Sequence, residues 1–280
     1  MQTNANQEMN NLLALALRLE RCEGCPNKIR VKKYCKQGIY PRWGAGSINA
    51  PIVLILERPG NQGFLCETGQ TNEILASNIP AFRKNFTEIM FTGYEDGVRY
   101  LEAILEFLFG DKAREMSFLS RIDILSKTIY ITELIKCPGK IKGKENVVNK
   151  TCPERYLNKE WELISNQLQR PILAIIASRL NSKGFFPSNF PAKILTLKAG
   201  GSFTEKGISY LNVYHPAYFN QPGKWKDVEP EFTVHAQTHE IPLQTDLGVS
   251  IGMKKTAYLF YLLETMNKGN LIREKILKRI

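Results

Sequence analysis

No apolar stretch in the sequence approaches the roughly 18–20 residues that a membrane span requires, which argues against a transmembrane helix. Residues 1–22, MQTNANQEMNNLLALALRLERC, hold a short apolar run without a basic n-region or an A-x-A-like cleavage site. They read as an amphipathic helix, not a signal peptide. Internal repeats and low-complexity tracts are also missing. Histidine is scarce, with three in 280 residues. Two of them, His235 and His239, have H-x-x-x-H spacing but no evident third ligand, and read as loop histidines. Negative charge is in deficit: 27 acidic residues against 38 Lys and Arg give a net charge of +11. That imbalance favours a polyanionic partner, with nucleic acid ahead of an acidic membrane surface.

What is present is enough apolar residue, 43% of the chain, to bury a substantial core. Six cysteines in a chain without a secretory signal point to metal or redox chemistry more than to a disulfide framework. The expected setting is the cytoplasm, in association with the nucleoid, and the expected state is a monomer.

Residues 51–56 (PIVLIL) are continuously apolar and rich in β-branched side chains, as in a strand buried on both faces of a parallel sheet. The strand ends at Glu57-Arg58-Pro59-Gly60. Further strands are expected at 127–132, 171–177 (a third buried strand) and 208–214, with a short extra strand near 194–197. Helical periodicity marks residues 8–21, 79–91, 97–109, 154–169 and 254–267, and 270–280 reads as a basic helical tail. Strands alternating with helices predict an α/β fold, a three-layer α/β/α sandwich whose mainly parallel central sheet has about four strands. Residues 1–220 form the main domain in this reading, and 221–280 a C-terminal loop and helical extension packed on it.

Four cysteines stand out by context. Cys22 and Cys25 form a C-x-x-C, Cys137 and Cys152 are separated by 14 residues, and Pro directly follows three of the four. Four thiolates complete a [4Fe–4S] cubane, and a four-cysteine zinc site is the alternative. Cys35 and Cys66 read as free thiols. The segment before Cys152 carries Lys140, Lys142, Lys144 and Lys150 against one acid, Glu145, the composition of an exposed basic loop. A second basic segment, 28–42, has Tyr34 and Tyr40 among its cations and Trp43 beside it, which suits phosphate contact with base stacking.

Three short motifs then fall at strand ends. An acid and Pro-Gly follow the first strand (Leu56-Glu57-Arg58-Pro59-Gly60). A T-x-x-x-K-C segment, Thr132 to Cys137, follows the second. An H-P-A loop, His215-Pro216-Ala217, follows the last. Together with the cysteine pattern, residues 20–220 resemble the iron–sulfur uracil-DNA glycosylases, the fourth family of the uracil-DNA glycosylase superfamily. The resemblance implies an enzyme that binds DNA, flips a nucleotide out of the stack and hydrolyses its N-glycosidic bond. It implies that His215 donates to the base O2, that Glu57 sits near the sugar and water, and that Cys22, Cys25, Cys137 and Cys152 hold a [4Fe–4S] cluster.

The chain departs from that pattern where the base is read. The family's second motif is T-N-x-x-K-C, its Asn satisfying uracil's O4 and N3–H; here the position is Glu133. An ionised carboxylate cannot donate to O4. It can accept from the exocyclic amine of cytosine. The acid that excludes a C5 substituent in the family falls at Gly63, and stacking shifts from the family's Phe to Phe64. Tyr218 and Phe219 are candidates to wedge into the gap left by the flipped base, and Lys140, Lys142 and Lys144 to contact DNA. The expected substrate is a cytosine carrying a bulky group at C5, of the kind found in some viral DNA, which implies antiviral defence. Uracil removal in base excision repair is the nearest alternative. A non-catalytic iron–sulfur protein that binds nucleic acid is the alternative of another class.

Overall fold

The computed structural model describes residues 44–58, 95–136, 145–178, 184–220 and 251–280. Within them the chain runs β1 (Ala45–Gly46), β2 (Ile52–Leu56), α1 (Glu95–Phe109), α2 (Lys112–Glu115), α3 (Phe118–Thr128) and β3 (Ile129–Glu133). It continues with α4 (Glu145–Cys152), a π-helical turn (Pro153–Leu157), α5 (Asn158–Ser165), β4 (Leu173–Ala177), β5 (Ser202–Glu205), β6 (Ile208–Val213), α6 (Ile251–Thr265) and α7 (Gly269–Leu277).

The described strands form one sheet in the order β1-β3-β2-β4-β6-β5. The four central strands are parallel, and β1 and β5 close the edges antiparallel. Every residue of β2, β3, β4 and β6 is buried. This is why β2 and β4 are continuously apolar, while β3 and β6 bury Thr132, Glu133, Ser209 and Asn212 among their apolar residues. The fold is α/β, with helices over both faces of a mostly parallel sheet.

Alternation assigns the faces. Tyr130 and Thr132 point to the layer of α4 and α5, where both hydroxyls bond to Glu160. Tyr210 shares that face and lies beside the Trp161 ring. Ile131 and Glu133 point to the opposite face. The buried residues of α1, α6 and α7, such as Leu101, Leu259 and Ile276, belong to the same core as the strands.

Several elements differ from the sequence reading. Residues 194–197 are not a strand: Ala192–Thr196 is a 3-10 helix, and the antiparallel edge strand is β5. It pairs with β6 through a two-residue turn, Lys206 and Gly207, both at positive φ, the geometry of a type I′ hairpin. Lys127 and Thr128 are helical, because α3 runs directly into β3. Lys127 also pairs with Asp123 one turn earlier, at 2.7 Å. The basic segment is not loop throughout, since its residues 145–152 are α4.

Nor does Pro153 end that helix. A proline lacks the N–H that an interior helical position needs. The chain accommodates it with a π turn, in which Asn158 N–H donates to the Pro153 carbonyl. The result is one helical rod from Glu145 to Ser165. The expected helices at 8–21 and 79–91 lie outside the described residues. No helix among the described residues is long and apolar enough to cross a membrane.

Candidate active site at the carboxyl edge of the sheet

Because β3, β2, β4 and β6 are parallel, their carboxyl ends meet along one edge. The registers pair Leu56 with Glu133, Leu56 with Ala177, and Ala177 with Val213. Glu57, Ser178 and Tyr214 therefore stand level just past the strand ends, with Glu133 one residue behind and His215 one residue beyond. Strand β3 lies on one side of β2 and strand β4 on the other, so connections diverge between β2 and β4. In open α/β sheets, ligands bind in the crevice at such a reversal. Here Glu57 and Ser178 follow the two strands at that reversal, Glu133 ends the strand on one side and His215 follows the strand on the other.

The two acidic motifs are locked together by backbone. Leu134 N–H donates to the Leu56 carbonyl (2.8 Å) and Ile135 N–H to the Glu57 carbonyl (3.0 Å), extending the parallel ladder past β3. Both carboxylates are withdrawn from water, Glu133 at 2% and Glu57 at 7% exposure. Arg58 lies 3.8 Å from Glu57 through Nε, and its Nη2 donates to Asn149 Oδ1 on α4 at 3.1 Å. The loop after β2 is thus tied to the helix that carries Cys152.

His215 sits in a short turn whose geometry fixes its ring. Ala217 N–H donates to His215 Nδ1 at 3.2 Å, and Tyr218 N–H donates to the His215 carbonyl at 2.8 Å. A neutral imidazole that accepts at Nδ1 carries its proton on Nε2. The backbone just before it is held by two phenols. Tyr100 OH of α1 donates to the Tyr214 carbonyl (2.5 Å), and Tyr214 N–H donates to Tyr258 OH of α6 (3.3 Å). Tyr214 and Tyr218 stack with centroids 4.4 Å apart.

Phe219 does not fit the expected wedge. It is 1% exposed and packs edge-on against Tyr258, 4.9 Å between centroids, so it is a core residue. Tyr218 is partly exposed in the same turn.

The Cys152 thiol is buried, and Lys136 N–H donates to its sulfur at 3.3 Å. This contact joins α4 to the loop after β3, at the residue that precedes Cys137 in the chain. A sulfur that accepts a backbone N–H in a buried setting suits a thiolate ligand. Among the described residues, no group of three or more His, Cys, Asp or Glu could hold a metal ion. Cys22, Cys25 and Cys137 lie outside them, as do Gly63, Phe64, Lys140, Lys142 and Lys144. The described part of the basic segment presents Lys150 to solvent.

Sequence reasoning missed Ser178, Tyr100, Tyr258 and Glu160. Ser178 ends a buried strand and was findable by that position alone. The tyrosines and Glu160 lie on helices, where no local pattern separates them from ordinary core or surface positions. Compared with models of known protein families the chain matches none, and no curated protein sequence matches it.

Proposed function

We propose that the protein is a DNA glycosylase that hydrolyses the N-glycosidic bond of a flipped-out, 5-substituted cytosine, in defence against phage DNA. The observation that carries this reading is the grouping of Glu133, Glu57 and His215 along one sheet edge, around the point where the topology reverses. In the reaction the C1′–N1 bond breaks, its electron pair leaves with the base, and water adds to C1′. His215, its proton assigned to Nε2, donates to the charge developing on the base O2. Glu57 orients the water and stabilises the cationic sugar. Glu133 accepts from the exocyclic amine, in a setting dry enough to strengthen that bond.

Cys22, Cys25, Cys137 and Cys152 would hold a [4Fe–4S] cluster, with zinc as the alternative. Its contribution is to brace the loops beside the site, with no part in the bond-breaking step. The basic chain supplies the attraction to DNA, which should weaken steeply with salt.

The test is release of free base from duplexes containing uracil, cytosine or 5-substituted cytosines. The wild-type protein should release the substituted cytosine. His215→Ala should lower kcat by about 10²–10³-fold, the cost of losing one donor at a developing oxyanion. Uracil release with nothing from the cytosines would instead support the repair enzyme. DNA binding and cellular function left unchanged by His215→Ala would support the non-catalytic protein.

A further inference from the structure

Beneath the strand ends lies a buried polar network that the proposed chemistry does not use. Glu160, on the first turn of α5, is fully buried. Its Oε1 accepts from Gly44 N–H at 2.6 Å and from Tyr130 OH at 2.7 Å. Its Oε2 accepts from Thr132 OH at 2.7 Å and from the Lys136 ammonium. Lys136 Nζ also donates to Thr132 Oγ1. All four acceptor positions of one carboxylate are therefore used. Lys136 is as buried as its partner, with side-chain exposures of 1% and 0%.

An ion pair so far from water is weak evidence of a stabilising role, because desolvation offsets the attraction. Its placement is more informative. Lys136 is four residues beyond Thr132, and its side chain turns back under the sheet to reach Thr132 and Glu160. The intervening chain must loop over that anchor. On the way, Leu134 and Ile135 dock on the end of β2, and the Lys136 N–H meets Cys152 Sγ. One side chain thus fixes the 134–136 segment that follows Glu133.

We propose that Lys136 is a positioning residue: locked by Glu160 and Thr132, it holds the 134–136 loop so that Glu133 stands in the site and the Lys136 backbone stands against Cys152. The Glu133 half of this proposal rests on the reading of Glu133 as base reader; the Cys152 half does not.

The test is the double variant Lys136→Met with Glu160→Gln, made in the full-length protein as purified. Gln at 160 keeps an acceptor for Gly44 and Tyr130 and offers an amide to Thr132, while Met at 136 keeps the apolar stem without the charge. Unfolding temperature, the rate of Cys152 alkylation by iodoacetamide mapped by mass spectrometry, bound iron and zinc, and base release are measured together. The fold should persist. Metal affinity should fall about tenfold or more, the scale for losing a residue that orients a ligand, and Cys152 should be alkylated faster than in the wild-type protein. Base release should drop through kcat. Thr132→Val, which removes one of the two Lys136 contacts, should move alkylation the same way by a smaller factor and serves if the double variant does not fold. Wild-type alkylation of Cys152 in the folded variants would overturn the proposal. If the wild-type protein releases no base at all, the glycosylase reading fails, and the alkylation rate still decides whether Lys136 positions the loop.

Discussion

Tyr258 shows how a single residue remote from the strand ends serves the site. Its phenol oxygen accepts the Tyr214 N–H, one peptide before His215. Phenylalanine there keeps the ring and its edge-on contact with Phe219 but removes the acceptor. An orphaned, partly buried N–H costs about 1 kcal/mol, near the low end for such groups. Tyr258→Phe should therefore lower stability by about that amount in denaturant unfolding. It should also lower kcat for base release more than it raises KM, because the His215 turn loses one of its two phenolic anchors. An unchanged kcat would mean that Tyr100, through its bond to the Tyr214 carbonyl, holds the turn alone.

At the scale of elements, the contact between the segment leading into β1 and strand β3 depends on a glycine. A Cβ on Gly44 would lie 2.2 Å from the Tyr130 ring, and Gly44 N–H would no longer reach Glu160 as it does now. Gly44→Ala should cost about 1–3 kcal/mol, the range for overpacking a filled core, read as a lower denaturant midpoint at unchanged slope. Strands β2 and β4 were legible in the sequence because burial on both faces leaves an apolar run, and β3 and β6 by their β-branched and aromatic residues. Helix α1 was legible for the same kind of reason, a 3.6-residue period ending at Gly110. What escaped was set by tertiary context. Residues 194–197 are apolar enough for a strand, yet Pro191 and the β5–β6 hairpin place them in a 3-10 turn. Pro153 reads as the end of a basic loop before the helix expected at 154–169, yet a π turn carries the helix through it from Glu145 to Ser165.

At the scale of the whole molecule, the two edges of the sheet do different work. The amino edge is fastened by Arg279 near the C-terminus, whose guanidinium donates to the carbonyls of Asn49, Gln169 and Arg170. Those residues precede β2 and β4, so the clamp joins the starts of both strands on which the site is built. Burial lowers the Arg279 pKa from its ordinary value. The carboxyl edge carries Glu57, Glu133 and His215, and here the sequence was readable, because strand ends are where α/β folds place their chemistry. The buried pair Lys136–Glu160 was not, since a lysine in a motif and a glutamate on a helix look like surface residues until the fold brings them together.

Under the proposed function, Glu133 selects an amine-bearing base where an amide would select uracil. The most direct measurement is base release by the wild-type protein and by Glu133→Asn, each on duplexes containing uracil and 5-substituted cytosine. The wild-type protein should release the substituted cytosine and leave uracil. Glu133→Asn should reverse that order, with discrimination shifted by at least about tenfold, the change expected from roughly 1–3 kcal/mol per base-reading contact. Uracil release by the wild-type protein at a rate that Glu133→Asn leaves unchanged would contradict it.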